Sequence, residues 1–191
     1  LFIKMEGQFP SESFKDRGMS VAISEALRLQ KTYPELKIRF VACASTGDTS
    51  ASAALYTAYV RDKLRCIVFL PHEKISPGQL FQAMSHGALV LNIKHPEGFD
   101  GCMRLIQEYC EKHPEIVLVN SKNGLRIVGQ ETTALEICQD LHWRAPAWIA
   151  IPCGNGGNLT ALFISLLRMK ERGMIDHLPG VIVAQTERAN T

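Results

Sequence analysis

The sequence of 191 residues contains no apolar run near the ~18–20 residues that span a bilayer, so we expect no membrane-embedded part. It also has no excess of one charge. The formal net charge is +2 with basic and acidic residues interspersed, so we expect no nucleic-acid or membrane partner. Internal repeats, low-complexity tracts and flexible linkers are absent as well. What remains is a composition of 46% hydrophobic and 21% charged residues, which can form a packed core.

The six cysteines form neither a CxxC motif nor a Cys/His ligand cluster, so we expect no metal site and no disulfide framework. Four of them lie within apolar strand-like or helix-like patterns. These four are predicted to be reduced core residues of an intracellular protein: Cys43, Cys66, Cys102 and Cys138.

An initiating methionine is absent too. The segment Leu1–Lys4 resembles the middle of a strand, and the chain stops soon after another strand-like run that ends at Ala184. We therefore expect a fragment that is incomplete at both ends.

Short apolar, β-branched runs alternate with helix-length segments along the chain. Strand starts are separated by roughly 22–34 residues, which is the length of a βαβ unit. The fold class is therefore predicted to be α/β, with parallel sheets and helices on both faces. The predicted strands are Ile38–Cys43, Cys66–Leu70, Ala88–Ile93, Ile116–Val119, Ala147–Ile151 and Val181–Ala184.

The first notable loop is 13–18, just before a helix predicted to begin near Met19. Lys15 would then lie near the positive end of the helix dipole, which lowers the pKa of its amine and favours reaction with an aldehyde. Composition alone favours the simpler interpretation of a solvated lysine in a charged turn.

The second loop, 45–50, follows the first predicted strand and opens an alanine-rich helix. Gly47 permits a tight turn, and the hydroxyl groups and free N–H groups at a helix start can bind a carboxylate or phosphate. Helix capping is the alternative, but it explains one such residue rather than five polar groups in six positions.

The third loop, Gly154–Asn158, follows the strand at 147–151 and also opens a helix. Its three glycines let bare amides approach a phosphate closely. The loop matches neither GxGxxG nor GxxxxGK[ST], so a small phosphate monoester is favoured over a nucleotide. An amine, an anion loop and a phosphate loop together predict pyridoxal phosphate, an aldehyde that carries a phosphate.

Residues 13–18, with the sequence SFKDRG, resemble the lysine motif of threonine synthase, a fold-type-II pyridoxal-phosphate enzyme, in its plant-type branch. The resemblance runs over essentially the whole chain. Further matches in order and spacing are Ala44–Ala51, Leu70-Pro71 with Lys74-Ile75-Ser76, Asn120-Ser121 with Arg126, Gly129-Gln130, and Gly154–Asn158.

The resemblance implies that O-phospho-L-homoserine and water are converted to L-threonine and phosphate. It implies that Lys15 holds the cofactor as a Schiff base and shuttles protons. The other implied cofactor-binding residues are Asp48, Gly154, Asn155, Gly156, Gly157 and Asn158. The implied substrate-binding residues are Ser45, Thr46, Gly47, Thr49, Asn120, Ser121, Arg126 and Asn155.

The sequence departs from the family pattern at four places. Asp48 stands where many relatives carry asparagine beside the cofactor's phenolic oxygen, and Ser11-Glu12 replaces a Thr-Gly pair. Cys153 replaces a glycine, and 122–124 differs from the usual stretch. The C-terminal hydroxyl residue that meets the pyridine nitrogen in this family is expected to lie outside the chain.

We expect residues 1–37 to form the lysine segment and its helix, 38–125 a small substrate-side α/β domain, and 126–191 part of a large cofactor-binding domain. The resemblance also implies a small-molecule substrate, a homodimer, and a cytoplasmic location, or a plastid if the source is a plant.

Three alternatives remain open from the sequence. One is another fold-type-II enzyme, such as a cysteate synthase or a threonine or serine dehydratase. The second is a truncated, non-catalytic relative of threonine synthase that binds an anion or a partner. The third is a mononucleotide-binding α/β domain in which Lys15 has no role.

Overall fold

The computed structural model describes residues 1–72 and 77–187. Six strands and seven α-helices occur in these described residues, and their order alternates as expected for an α/β fold. The strands are β1 (Phe40–Ala44), β2 (Arg65–Pro71), β3 (Leu89–Ile93), β4 (Ile116–Leu118), β5 (Trp148–Pro152) and β6 (Gly180–Ala184). The helices are α1 (Lys15–Thr32), α2 (Asp48–Ala58), α3 (Pro77–Ser85), α4 (Gly98–Lys112), α5 (Gly124–Gln130), α6 (Thr132–Asp140) and α7 (Gly157–Glu171).

All six predicted strands are confirmed to within two residues at each end. The expected strand at Leu1–Lys4 is wrong, because this segment has no regular structure and the side chains of Leu1, Phe2 and Ile3 are exposed. Apolar composition alone does not make a strand. A strand also needs a neighbour for its backbone hydrogen bonds, and this segment pairs with none in the part of the chain that the structure describes.

Two compact units make up the chain. The lysine unit consists of Met5–Arg126, and the glycine-loop unit consists of Leu1–Lys4 together with the chain from Ile127 onward. Helix α1 packs against α2 within the lysine unit. The expected domains with bounds at 37/38 and 125/126 stay a prediction about the function of those parts.

The lysine unit contains a four-stranded parallel sheet in the order β3-β2-β1-β4. Alternate residues of β1 point to opposite faces: Val41 and Cys43 pack with α1 and α2, while Ala42 and Ala44 pack with Cys102 and other residues of α4. This sheet is therefore covered on both faces, as predicted. Because the strands are parallel, the loops after β1 and β4 leave from the same edge.

The glycine-loop unit contains the parallel pair β5–β6, whose core is formed with α6 and α7. Its strands were expected to be buried on both faces, and that expectation is wrong for the described residues. Ile151 is buried, but Trp148 is 66% exposed and Ile182 is 53% exposed. The described helices cover only the face to which Ile149 and Ile151 point, so the opposite side chains remain accessible.

The four cysteines predicted in the core are buried and free, which confirms that part of the sequence interpretation. Within 1–72 and 77–187, no helix has the length and apolar character needed to cross a membrane.

Candidate active site

Lys15 is the first residue of α1, with Phe14 as the N-cap. The predicted helix start near Met19 is therefore wrong, because the first turn is polar and shows no apolar periodicity. The Nζ atom of Lys15 lies 4.2 Å from the centroid of the Phe14 ring. Its amine has no hydrogen-bond or ion-pair partner among the described residues, so it is available to react with an aldehyde.

The pKa of Lys15 is lowered from 10.5 to about 8. Burial of the amine is the main cause, followed by repulsion from the positive charge of Arg126, and the carboxylate of Asp48 partly opposes both. The predicted direction of the shift is confirmed, but its causes are burial and a neighbouring charge rather than the helix dipole alone. An amine with this pKa is a usable nucleophile near neutral pH.

Asp16, the next residue, is buried and ties α1 to α2. Its carboxylate accepts a hydrogen bond from the backbone N–H of Ser11 at 2.8 Å, one from the Ser11 hydroxyl, and one from the Ser52 hydroxyl at 2.5 Å. Its position in the first turn of α1 also matches the helix dipole. Asp16 therefore fixes the helix start that carries Lys15.

Arg17 and Gly18 are buried as well, so the interpretation of this loop as a charged surface turn is wrong. Arg17 bonds both carboxylate oxygens of Glu6, at 2.7 and 2.9 Å, and lies over the Phe9 ring. At Gly18 a Cβ atom would lie only 2.5 Å from the carbonyl oxygen of Arg126. Only glycine permits α1 to approach the Arg126 backbone so closely.

Arg126 is a buried guanidinium, only 2% exposed. Its Nη1 donates to the Val119 carbonyl at 3.1 Å, but Nε has no hydrogen-bond partner. Burial lowers the pKa of Arg126, and no described residue forms an ion pair with it. A buried charge without a counter-ion is costly, so this environment is suited to binding an anion.

The hydroxyl loop consists of Ser45–Ser50, between β1 and the first turn of α2. The N-cap of α2 is Gly47, which has no side chain, so none of the polar residues of this loop serves as the N-cap residue. Ser45 accepts the N–H of Gly47 at 3.2 Å, and Ser50 donates to the Gly47 carbonyl at 2.7 Å. The hydroxyls of Thr46 and Thr49 make no bond with a described residue and can accept a ligand.

Asp48, also in this loop, accepts a hydrogen bond from the Ser13 hydroxyl at 3.0 Å. This bond joins the hydroxyl loop to the residue two positions before Lys15. The Asp48 carboxylate is close enough to Lys15 to raise the pKa of its amine. Asp48 thus belongs to the surroundings of the lysine, and its contact with the cofactor stays a prediction.

Asn120 and Ser121 follow β4 at the same edge of the sheet. The Asn120 side chain is buried and bonds the backbone of Ala44, the last residue of β1, in both directions. Ser121 is half-buried. The departure at 122–124 has a structural explanation: the Asn123 side chain accepts the N–H of Leu125 at 3.0 Å and so caps α5. Phosphate binding by Asn120 and Ser121 stays a prediction.

The glycine loop, Gly154–Asn158, lies in the glycine-loop unit and opens α7. Gly156 has a φ of +80°, which strongly favours glycine. A Cβ atom at Gly154 or Gly156 would meet no other atom within 4 Å, so the space beside the loop is open. The buried Oδ1 of Asn158 has no hydrogen-bond partner, and Asn155 accepts the N–H of Gly157. The N-cap residue Gly156 has no side chain to occupy the helix start, so the N–H groups that follow Gly157 fit a phosphate group.

Lys74-Ile75-Ser76, which also carry the resemblance, lie outside the described residues. Cys153, another departure, is half-buried and its Sγ lies 3.8 Å from the Gly154 carbonyl oxygen. The sulfur therefore contacts a carbonyl oxygen of the glycine loop and does not occupy the backbone N–H groups of the loop.

Several contributing residues were missed by sequence reasoning: Ser13, Asp16 and Gly18. All three belong to the lysine motif, so the motif itself was the available signal. Each of them also contacts a residue at least 35 positions away, namely Asp48, Ser52 and Arg126 in that order, and no local pattern identifies such partners.

Glu12 has a φ of +58°, the left-handed conformation that favours glycine. This explains why the departure from glycine matters: a side chain here costs about 1–2 kcal/mol. We expect Glu12→Gly to raise the free energy of unfolding by about 1 kcal/mol, measured by urea-induced loss of circular dichroism. Glu12→Ala is the matched control, because it removes the carboxylate but keeps the Cβ atom. Equal stabilisation by both variants would show that charge, not backbone conformation, is responsible.

The profile of the family described as "Pyridoxal-phosphate dependent enzyme" matches residues 1–191. Threonine synthase 2, chloroplastic, of Arabidopsis thaliana is 44% identical over 190 residues, covering 100% of this chain and 36% of that protein. Threonine synthase of Methanocaldococcus jannaschii is 41% identical over 189 residues, covering 99% of this chain and 44% of that protein. The chain thus spans less than half the length of these curated relatives.

A crystal structure of an O-acetylserine dependent cystathionine beta-synthase from Helicobacter pylori has a similar fold, with a TM-score of 0.72 and 26% identity. The similarity covers 94% of this chain and 55% of that protein. Together, these similarities confirm the predicted fold-type-II α/β architecture and the resemblance that the motifs indicated.

Proposed function

Because this chain belongs to the family of pyridoxal-phosphate-dependent enzymes, we propose that it is the lysine-bearing part of a threonine synthase. The reaction would convert O-phospho-L-homoserine and water to L-threonine and phosphate. The names of the relatives at 44% and 41% identity support this choice. The observation that carries it is the amine of Lys15, with a pKa of about 8, near the buried guanidinium of Arg126, whose Nε has no partner among the described residues.

The residues of each unit fit the cofactor of this family. In the lysine unit, Lys15 offers an amine without a hydrogen-bond partner among the described residues, and Asp48 contributes a neighbouring carboxylate. In the glycine-loop unit, Gly154–Asn158 offers open space and the N-terminus of α7 for the phosphate group. When bound, pyridoxal phosphate supplies an aldehyde for the lysine and a ring that stabilises carbanions.

The substrate would be held by its two anionic ends. We assign the carboxylate to the hydroxyl loop, where Ser45, Thr46, Gly47 and Thr49 present hydroxyl and N–H groups. The phosphate is assigned to Arg126, because a guanidinium can bond phosphate oxygens bidentately and Nε has no other partner. Contributions to phosphate binding from Ser121 and Asn155 follow from the family resemblance alone.

Lys15 would also carry protons. An amine whose pKa is about 8 is neutral often enough near neutral pH to accept a proton at Nζ and protonated often enough to return it. The reaction needs such a group, because protons leave the α and β carbons of the substrate before phosphate departs from the γ carbon. Burial sets most of the shift in the pKa of this amine, and Arg126 and Asp48 adjust it in opposite directions.

A homodimer and a cytoplasmic location, or a plastid in a plant, complete the proposal. The relative from Arabidopsis thaliana is named as chloroplastic, which is consistent with a plastid enzyme if this chain comes from a plant.

Phosphate release tests the proposal. The full chain, supplied with pyridoxal phosphate, is expected to release phosphate from O-phospho-L-homoserine and to form L-threonine in equal amount. O-phospho-L-serine is the matched control, because it has the same charged groups and one methylene fewer. Turnover of O-phosphoserine alone would overturn the proposal in favour of an enzyme of the cysteate synthase type.

A further inference from the structure

We infer that Asn120 is a positioning residue that holds the hydroxyl loop in place, rather than a group that binds the substrate's phosphate. This inference deepens the proposed function, on which its ligand measurements rest. The hydrogen-bond geometry that supports it does not depend on that function.

The Asn120 side chain takes the place of a peptide group at the end of the sheet. β4 runs beside β1, and its last backbone bond to β1 is donated by Val119 to the Ala42 carbonyl at 2.9 Å. Two residues further along β1, the N–H of Ala44 donates to Oδ1 of Asn120 at 2.9 Å. In return, Nδ2 of Asn120 donates to the Ala44 carbonyl at 2.7 Å. A side-chain amide therefore satisfies both backbone groups of the last residue of β1.

Asn120 is itself held firmly. Its carbonyl accepts the N–H of Asn123 at 2.9 Å, and the Asn123 side chain donates to the Leu118 carbonyl at 2.9 Å. These bonds make a turn directly after β4, so the Asn120 side chain is presented to β1 from a fixed backbone. Asn120 is 6% exposed and Ala44 is 1% exposed, so water cannot easily replace either bond.

The consequence falls on the hydroxyl loop, because Ser45 follows Ala44 directly. The direction of the chain at Ala44 therefore fixes the position of Ser45. The Ser45 hydroxyl in turn accepts the N–H of Gly47 at 3.2 Å, which links the rest of the loop to it. Asn120 uses its oxygen and one of its two N–H donors on Ala44, whereas the Nε of Arg126 has no partner among the described residues. This division makes Arg126 the phosphate group's partner and Asn120 the support of the carboxylate-binding loop.

Amide hydrogen exchange of the full chain without any ligand tests the support directly. In Asn120→Ala we expect the amides of residues 44–47 to exchange about tenfold faster than in the wild type, because two buried bonds are lost. Asn92→Ala is the matched control, since Asn92 is an exposed asparagine on a strand of the same sheet, and it should leave these amides unchanged. Unchanged exchange in Asn120→Ala would overturn the inference.

Asn120→Asp serves as a second variant if Asn120→Ala fails to fold. It preserves the size of the side chain and the acceptor for the Ala44 N–H, and as an ionised carboxylate, with exchange measured at pH 8, it has no donor for the Ala44 carbonyl. We expect faster exchange at 44–47 in this variant too. Wild-type protection in a folded Asn120→Asp would count against the inference as well.

Ligand affinities separate positioning from direct binding. The probes are inorganic phosphate and L-threonine, which carries a carboxylate and no phosphate, each titrated into the chain supplied with pyridoxal phosphate. Asn120→Ala is expected to weaken L-threonine binding about tenfold, whereas Arg126→Met should weaken phosphate binding more than tenfold and L-threonine binding less than twofold.

A different pattern would decide against the inference. If Asn120→Ala weakens phosphate binding alone and leaves exchange at 44–47 unchanged, Asn120 is a direct phosphate ligand. If the wild type binds neither probe, the proposed function is overturned, and hydrogen exchange alone decides whether Asn120 supports the loop.

Discussion

Lys15→Ala is expected to abolish the covalent attachment of pyridoxal phosphate to the chain. In the wild type, the Lys15 amine would condense with the aldehyde of pyridoxal phosphate with loss of water, and borohydride would reduce the resulting C=N bond to a stable amine. Lys15 is suited to this reaction because its pKa is about 8 and its Nζ has no hydrogen-bond partner among the described residues. Mass spectrometry of the digested chain should therefore find the reduced adduct on Lys15 in the wild type and no adduct at residue 15 in the variant.

The matched control is Lys31→Ala, which removes an exposed lysine in the last turn of the same helix. This variant should retain the full adduct on Lys15. Equal labelling of several lysines in the wild type, with no preference for Lys15, would contradict the prediction, as would an undiminished yield of total adduct in Lys15→Ala. Either result would favour the alternative of a non-catalytic binding protein.

Arg126→Met is expected to raise the pKa of Lys15. Arg126 is the second cause of the lowered pKa, after burial, because its positive charge disfavours a second cation nearby. At a pKa of about 8, roughly one tenth of the Lys15 amine is neutral at pH 7, compared with well under a thousandth at 10.5. Removal of the guanidinium therefore leaves less neutral amine at every pH below the new midpoint.

Competitive acylation of Lys15 by acetic anhydride, followed by mass spectrometry across a pH series, measures this shift. The labelling rate of the wild type should rise with pH and level off above about pH 8. In Arg126→Met the plateau should move to higher pH. Asp48→Asn gives the opposite test, because the Asp48 carboxylate raises the pKa of Lys15, so its removal should move the plateau to lower pH. Identical profiles for all three chains would contradict the electrostatic explanation.

Arg126→Met also separates the effect of the guanidinium on stability from its effect on anion binding. In the absence of an anion, Arg126→Met should raise the free energy of unfolding by about 1 kcal/mol, because it removes a buried charge without a counter-ion. With pyridoxal phosphate supplied to both chains to occupy the glycine loop, added phosphate should stabilise the wild type, by about 2.7 kcal/mol at a concentration one hundred times its Kd, and should have no such effect on Arg126→Met. Equal stabilisation of both chains by phosphate would show that the anion binds elsewhere.

Much of the fold was predictable from periodicity. Strands such as Cys66–Leu70 are short and apolar, and their positions follow from the alternation of pattern along the chain, which reflects local residue preferences. The same local reasoning failed at Leu1–Lys4, because a strand also depends on a neighbour that local sequence does not reveal. It failed at the start of α1 because Asp16 and Arg17 are polar residues that are buried with partners outside the helix, Ser52 and Glu6.

The candidate site shows a similar division. The order of Lys15, the hydroxyl loop and the glycine loop along the chain was sufficient to predict an amine, an anion site and a phosphate site. The surroundings of those groups were not predictable, since Ser13 bonds Asp48 across 35 positions and Asn120 bonds Ala44 across 76. Such contacts arise only when the strands align at one edge of the sheet.

By itself, the sequence determined the parallel α/β architecture, the chemical groups available and their loops, because residue type and spacing are local properties. The tertiary structure decided that the Lys15 amine is partly buried, that Arg126 is buried without a counter-ion among the described residues, and that the Asn120 side chain bonds the last residue of β1. The physical reason is that desolvation and hydrogen bonding depend on which distant groups exclude water from a side chain. For this reason the pKa of Lys15 is about 8 rather than the 10.5 of an ordinary lysine.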